Sequence, residues 1–244
     1  MILHNKTLLI TGGTSGVGYE LVRQLAPHNQ ILVIARAGPR LDMLERDFPG
    51  LQTYAADLSE PTILSGLCQT IVGEHPQIDA LINNAAMQFE PCFLDKDFLY
   101  ASIKQEITLN FTAVCALCYL LLPALLQANS PGRIININSG LALAPKTQSA
   151  VYCATKAALN SFSQSLNYQL EHTPVRVLQA FLPLVDTPMT EGRGKAKLSV
   201  KQAAQAIIRG IERDKTVNDI GKVRLLRLLH NLWPQLAKKI MKGH

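Results

Sequence analysis

Tyr152, Cys153, Ala154, Thr155 and Lys156 form a Y-x-x-x-K segment. Residues four apart on a helix share one face, so the phenol and the ammonium project together. A phenol ordinarily titrates near about 10. A neighbouring ammonium favours the phenolate and lowers that value toward the range where general acid–base catalysis operates. Ser139 lies thirteen residues before Tyr152. Its hydroxyl could hydrogen-bond an oxygen on which charge develops. Asn110 falls in a helical stretch further upstream. Together these types suit the movement of a proton on and off an oxygen. Taken singly they are weak: a lone Y-x-x-x-K arises often by chance, and Asn110 also reads as a helix residue with a local hydrogen bond.

Regular elements must hold these residues. Short apolar, β-branched runs read as strands at 7–11, 30–35, 52–55, 80–83, 133–138 and 175–182. Helical patterns lie between them, at 18–25, 39–47, 60–73, 103–128 and 151–171. Alternating β and α elements predict an α/β fold, with one doubly wound parallel sheet and helices on both faces, as a single domain over 1–244. Strands buried on both faces should be apolar throughout, as Leu8-Leu9-Ile10 and Ile31-Leu32-Val33-Ile34 are. Ligands of such sheets sit beyond the carboxyl ends of the strands. Ser139 ends one strand and Asn110, Tyr152 and Lys156 lie on adjoining helices, so all four belong at that edge.

The first strand runs into Thr11-Gly12-Gly13-Thr14-Ser15-Gly16-Val17-Gly18. Glycines at 12, 16 and 18 permit a tight turn, close approach of backbone to a pyrophosphate, and packing of helix on strand. A helix starting near Gly16 aims its N–H groups and dipole at that anion. A glycine-rich turn is weak on its own, but this one follows a strand and precedes a helix. Its spacing is T-G-x-x-x-G-x-G rather than G-x-G-x-x-G.

With the Ser139, Tyr152 and Lys156 set behind it, that spacing resembles the short-chain dehydrogenase/reductase family over nearly the whole chain. The resemblance implies a Rossmann-like NAD(P)-binding catalytic domain that transfers a hydride between the cofactor and a small carbonyl or alcohol substrate. It implies that Tyr152 donates or accepts the proton and that Ser139 bonds the substrate oxygen. It implies that Lys156 tunes Tyr152 and binds the nicotinamide ribose, while Asn110 holds a water linking Lys156 to solvent. Asp57-Leu58 matches the family's adenine-binding position, and Asn83-Asn84-Ala85-Ala86 its N-N-A-G, with Ala86 in place of glycine. Leu182-Pro183-Leu184-Val185-Asp186-Thr187 departs from P-G-x-V-x-T at its first two positions but keeps Val185 and Thr187 for the nicotinamide carboxamide. At the end of the second strand stands Arg36, where a carboxylate would favour NAD. Its planar fork can meet a 2′-phosphate, so the expected cofactor is NADP(H).

The chain has 244 residues, 48% of them hydrophobic and 17% charged, enough apolar content to fill a large core. Its formal charge is +6, with much of the excess between 193 and 242. No basic surface interleaved with aromatics is evident, so no nucleic-acid partner is expected. The N-terminus lacks a signal-peptide pattern, and the apolar run 114–126, holding Tyr119 and Pro123, is short for a span. With five irregularly spaced cysteines, this points to the cytoplasm. Cys115-x-x-Cys118 reads as two small apolar helix residues rather than a redox or metal site, and Cys153 as a thiol open to alkylation. Residues 187–200 read as a short mobile lid whose basic residues either meet an anionic substrate or, in the favoured reading, are solvated. Residues 222–242 form a basic amphipathic tail broken by Pro234. It could lie on a membrane, but packing on protein is the expectation carried forward. The lid, the altered P-G motif and the tail together resemble the DltE-type oxidoreductases of bacteria. Resemblance also implies that the two long helices pair with a second subunit, giving a homodimer or homotetramer. The rival class is a non-catalytic NADP(H)-binding redox-sensing regulator, which would not need Ser139, Tyr152 and Lys156 together.

Overall fold

The computed structural model describes residues 1–243. Seven strands form one parallel sheet: β1 (Thr7–Thr11), β2 (Gln30–Ala35), β3 (Gln52–Ala55), β4 (Ala80–Asn83), β5 (Arg133–Ser139), β6 (Arg176–Leu182) and β7 (Val217–Asp219). Their spatial order is β3-β2-β1-β4-β5-β6-β7, every pair parallel. Chain order reverses between β1 and β4, which opens a crevice beyond their carboxyl ends.

Period-two alternation divides the strands between two cores. Leu8 and Ile10 of β1 face one side, while Leu9 faces the other. The first core is closed by α1 (Gly16–Leu25), α2 (Pro39–Asp47) and α7 (Val200–Glu212). The second is closed by α3 (Leu64–Glu74), α5 (Ala113–Leu126) and α6 (Ala150–Gln169). The expected doubly wound sheet with helices on both faces is therefore present.

Several boundaries differ from the sequence reading. The helix expected over 103–128 begins earlier, as α4 (Tyr100–Ile107), and passes through a π-helical turn at Thr108–Thr112 before α5. Such a turn leaves no hydropathy signal, because it changes hydrogen-bond spacing and not residue type. The helix expected from 60 opens as a 3-10 turn, Pro61–Ile63, since proline lacks the N–H of a continuing helix. β7 and α7 had no sequence assignment. β7 has three residues, too few for periodicity. α7 carries a capping box in which the Ser199 hydroxyl accepts from the Gln202 N–H, a pattern that sequence can reveal.

The run 114–126 is part of a continuous helical stretch, Tyr100–Leu126, of 27 residues, long and apolar enough by composition to cross a membrane. Shortness therefore does not argue against a span. Packing does: Leu117, Cys118, Leu121, Ala124 and Leu125 lie buried against the sheet. The tail divides at Pro234, as expected, into α8 (Val223–Leu232) and α9 (Pro234–Lys242).

Candidate active site

The glycine turn is built by close approach. A Cβ on Gly12 would stand 2.9 Å from the Ala85 Cα, and one on Gly18 would stand 2.1 Å from the Gly12 carbonyl oxygen. Gly12 also holds φ +70°, a left-handed conformation that other side chains resist. The end of β4 is tied to this turn. The buried Thr11 hydroxyl oxygen accepts from the Asn84 and Ala85 N–H groups, both at 3.0 Å. The Asn84 amide donates to the Thr11 and Gly12 carbonyls, both at 3.1 Å. Asn84 thus acts on the turn itself.

α1 begins at Gly16 with no side-chain cap from Ser15 and no acidic residue in its first turn. Its leading N–H groups are left to a ligand, and its dipole favours an anion there. A cavity of about 1390 Å³ opens in front of it. Gly12, Thr14, Ser15, Gly16, Val17, Gly18, Arg36, Asp57, Leu58, Asn84, Ala85, Ser139, Tyr152, Lys156, Val185 and Thr187 all line it. Asn110 is the one sequence candidate that does not.

Arg36 is exposed at the end of β2. Arg40, in the first turn of α2, lines the same cavity and was missed in the sequence. Its signal was available: a second guanidinium four residues from the first. Burial pushes the Asp57 carboxyl up, but hydrogen bonds from the Ser59 N–H (2.9 Å) and hydroxyl (2.7 Å) and the nearby Arg36 outweigh it and hold it below its ordinary value.

At the far end, Ser139 closes β5 and its hydroxyl oxygen accepts from the Leu141 N–H at 3.2 Å. Tyr152 and Lys156 stand one turn apart on α6, both buried. The Lys156 ammonium donates to the Ile137 carbonyl at 2.9 Å and lies 5.6 Å from the Tyr152 ring centroid. Burial lowers the Lys156 ammonium to about 8. Burial raises the Tyr152 phenol, with Cys153 and Glu106 pushing the same way and hydrogen bonding by Ser139, then Arg193, pulling it down. The phenol therefore keeps its proton at neutral pH, and the lowering expected from the neighbouring ammonium is outweighed by burial.

Asn110 sits in the π turn. Its carbonyl oxygen accepts from the Met87 N–H and its amide donates to the Met87 carbonyl, both at 2.9 Å, and to Thr155 Oγ1 at 3.3 Å. Its side chain thus clasps the loop after β4. Glu106, one turn earlier and also missed, accepts from the Phe89 N–H at 2.9 Å. Burial raises its carboxyl. Behind the site, Asn83 donates to Asn136, and Asn136 to Ser163, at 2.8 Å each. Asn138 donates to Gln179 at 3.0 Å, and Gln179 to Asn160 at 3.1 Å. These buried amides fix β5 against α6, and so Ser139 against Tyr152.

The lid is more ordered than its composition suggests. It holds a 3-10 turn at Pro188–Thr190 and a bridge between Val185 and Leu198. Its basic residues are not all solvated. Arg193 donates to Gln88 at 2.8 Å and pairs with Glu90 at 3.3 Å, while Lys146 meets the same carboxylate at 2.9 Å. Lys197 donates to the Thr190 carbonyl at 2.5 Å, and Lys195 remains exposed. The cavity lining also includes apolar side chains, Leu141, Leu184 and Met189, and Leu226, Leu229 and Ile240 from the tail.

Cys153 is buried, not open to alkylation as its position beside Tyr152 had suggested. Cys115 and Cys118 are free, with thiols pushed up by burial to about 11 and about 12. Among the described residues no cluster could hold a metal.

The short chain dehydrogenase family pattern matches residues 6–198. The uncharacterized oxidoreductase DltE of Bacillus subtilis (strain 168) is 35% identical over 200 residues, covering 78% of this chain and 76% of that protein. A fatty acyl-CoA reductase of Acinetobacter baylyi is 29% identical over 97% of this chain and 83% of its own length. Among solved structures, a short-chain dehydrogenase from Sphingobium yanoikuyae in complex with NADPH has a TM-score of 0.80 at 27% identity, covering 95% of each chain. One from Burkholderia cenocepacia, in complex with NADP, shares the fold with a TM-score of 0.88 at 20% identity over 99% of each chain.

Proposed function

The chain belongs to the short-chain dehydrogenase family of oxidoreductases, and on that premise we propose that it interconverts a carbonyl compound and its alcohol with NADP(H). One observation carries this reading: Ser139, Tyr152 and Lys156 converge on the same cavity that the glycine turn and Arg36 line. A regulator that merely sensed the cofactor would not require that convergence.

The residues fit the cofactor. The uncapped start of α1 would take the pyrophosphate, on a turn whose close packing allows no Cβ at Gly12 or Gly18. Arg36 and Arg40 would meet a 2′-phosphate, and the residues directly after β2, Arg36-Ala37-Gly38, include no carboxylate to oppose it. When bound, the cofactor supplies the hydride to the carbonyl carbon. Tyr152, kept protonated by burial, gives its proton to the carbonyl oxygen as charge develops there. The Ser139 hydroxyl hydrogen-bonds that oxygen. The Lys156 ammonium, held beside the ring by Ile137, stabilises the phenolate left behind. In the reverse direction the same charge lets Tyr152 accept the proton. The apolar wall of Leu141, Leu184, Met189 and Leu226 suits an apolar substrate body.

NADPH consumption across a panel of aldehydes, ketones and diketones tests this reading, with Tyr152→Phe as control. We expect turnover with at least one compound, faster with NADPH than with NADH. The variant should lose about a thousandfold or more in kcat while NADPH affinity stays within a few fold. A Tyr152→Phe protein of near-normal turnover would sink the catalytic assignment, and a higher kcat/KM with NADH would sink the NADP(H) choice. Five free cysteines support a cytoplasmic setting. Exposed Ile107, Tyr119 and Tyr168 on α4, α5 and α6 support pairing of subunits through those helices.

A further inference from the structure

α8 and α9 wall part of the cavity and, among the described residues, leave further apolar side chains uncovered. Leu225, Leu226 and Leu229 of α8 and Ile240 and Met241 of α9 line the cavity. Leu228, Leu232, Trp233 and Leu236 do not line it, and each is between 46% and 58% exposed. Their spacing, three to four residues apart around the break at Pro234, forms one apolar row. An uncovered row of this size on a monomer marks a contact surface.

Charge identifies the partner. Residues 222–244 contain six lysines and arginines and no aspartate or glutamate, while the whole chain carries a formal charge of +6. All of the excess positive charge therefore resides in this tail, and everything before it is balanced. Arg227 is turned inward, paired bidentately with Asp219 at 2.5 and 2.8 Å and stacked 4.6 Å from the Phe181 ring. Lys222, Arg224, Lys238, Lys239 and Lys242 are exposed beside the apolar row.

We propose that α8 and α9 dock the protein on an anionic lipid bilayer. The apolar row enters the acyl boundary while the exposed cations meet the headgroups, the combination that holds an amphipathic helix in the interface plane. The docked helices are also part of the cavity wall, so docking brings that wall to the lipid–water boundary. A second copy of the chain is a poorer occupant, because a two-fold contact would set these cations against one another with no acid in the tail to pair them. A nucleic acid would satisfy the cations but leave the aliphatic row exposed. The proposal concerns this surface alone and does not depend on the proposed chemistry.

Trp233 is the sole tryptophan of the chain and is 58% exposed, so its emission reports the docking directly. We expect the unaltered protein to sediment at low salt with phosphatidylcholine vesicles containing phosphatidylglycerol. Its emission should shift to the blue, and high salt should release it. Lys238→Glu with Lys239→Glu should weaken partition by about tenfold or more, since each basic residue at such a surface is worth about a fivefold gain. Leu228→Glu with Leu232→Glu should weaken it comparably. Neither pair lines the cavity, so NADPH oxidation in solution should be unchanged in both. Failure to sediment with anionic vesicles at low salt overturns the proposal. So does equal binding to phosphatidylcholine alone. A Leu228→Glu, Leu232→Glu protein that loses self-association but keeps vesicle binding overturns it in favour of a second copy. The vesicle and salt arms use the unaltered chain, and they decide the matter even if a variant fails to fold.

Discussion

Lys156 shows what a buried cation costs the fold that keeps it. Its ammonium has one protein acceptor, the Ile137 carbonyl, and burial brings it down to about 8. Unfolded, a lysine titrates near about 10.4. Between those values the unfolded chain binds more protons than the folded one, so stability of the ligand-free protein rises as pH climbs through that window. The contribution is present in full above the unfolded value and is lost as pH falls through about 8. Lys156→Met should therefore unfold at higher urea concentration than the parent at pH 7, by about 2 kcal/mol once the lost hydrogen bond is counted, and should lack the rise between pH 8 and 10. A variant less stable than the parent at pH 7 would contradict the assigned burial cost. Activity should vanish in the same protein, because the phenolate of Tyr152 would lose its partner.

At the scale of elements, the site depends on how β1, α1 and β4 meet. Thr11, Gly12, Gly18 and Asn84 form one knot, in which a methyl group at position 18 would stand 2.1 Å from a backbone oxygen and 2.5 Å from the Asn84 amide nitrogen. Backbone cannot give way as a flexible side chain can. Gly18→Ala should cost about 3 kcal/mol or more in urea unfolding and weaken NADPH binding more than tenfold. A soluble Gly18→Ala protein of parental stability and affinity would show that the knot yields. On the opposite side, Glu106 and Asn110 lie four residues apart across the helix-to-π junction and grip the backbone of Phe89 and Met87. That grip sets the loop carrying Gln88 and Glu90, which Arg193 of the lid engages.

At the scale of the whole molecule, two of its exposed apolar surfaces differ in charge. On the helices around Asn110 and Tyr152, Tyr119 and Tyr168 are 78% and 72% exposed, aromatic groups of the kind enriched where proteins pair. On the tail, exposed leucines and Trp233 stand among uncompensated cations. The first suits another subunit and the second a lipid surface. Tyr119→Glu with Tyr168→Glu should lower the mass measured by light scattering on a sizing column, whereas the tail substitutions should leave it unchanged. An unaltered mass after the tyrosine substitutions would place the subunit contact elsewhere.

The sequence by itself determined the alternating fold, the nucleotide turn and the proton-moving set, because each depends on neighbours along the chain. Strand periodicity, glycine at fixed offsets and a four-residue helical spacing are local properties. It also supplied the broken basic tail, since Pro234 and the charge run are local too. Only the tertiary structure decided how the distant pieces meet. It showed that Asn84 and Asn110 tie down the turn and the loop, and it brought Arg40, Glu106 and the Asn136 network to the site. It buried Cys153 and drew Arg193 and Lys197 out of solvent. It also placed one side of the tail on the cavity. Hydrogen bonds and burial between separate elements follow from packing, and no pattern of nearby side chains encodes them.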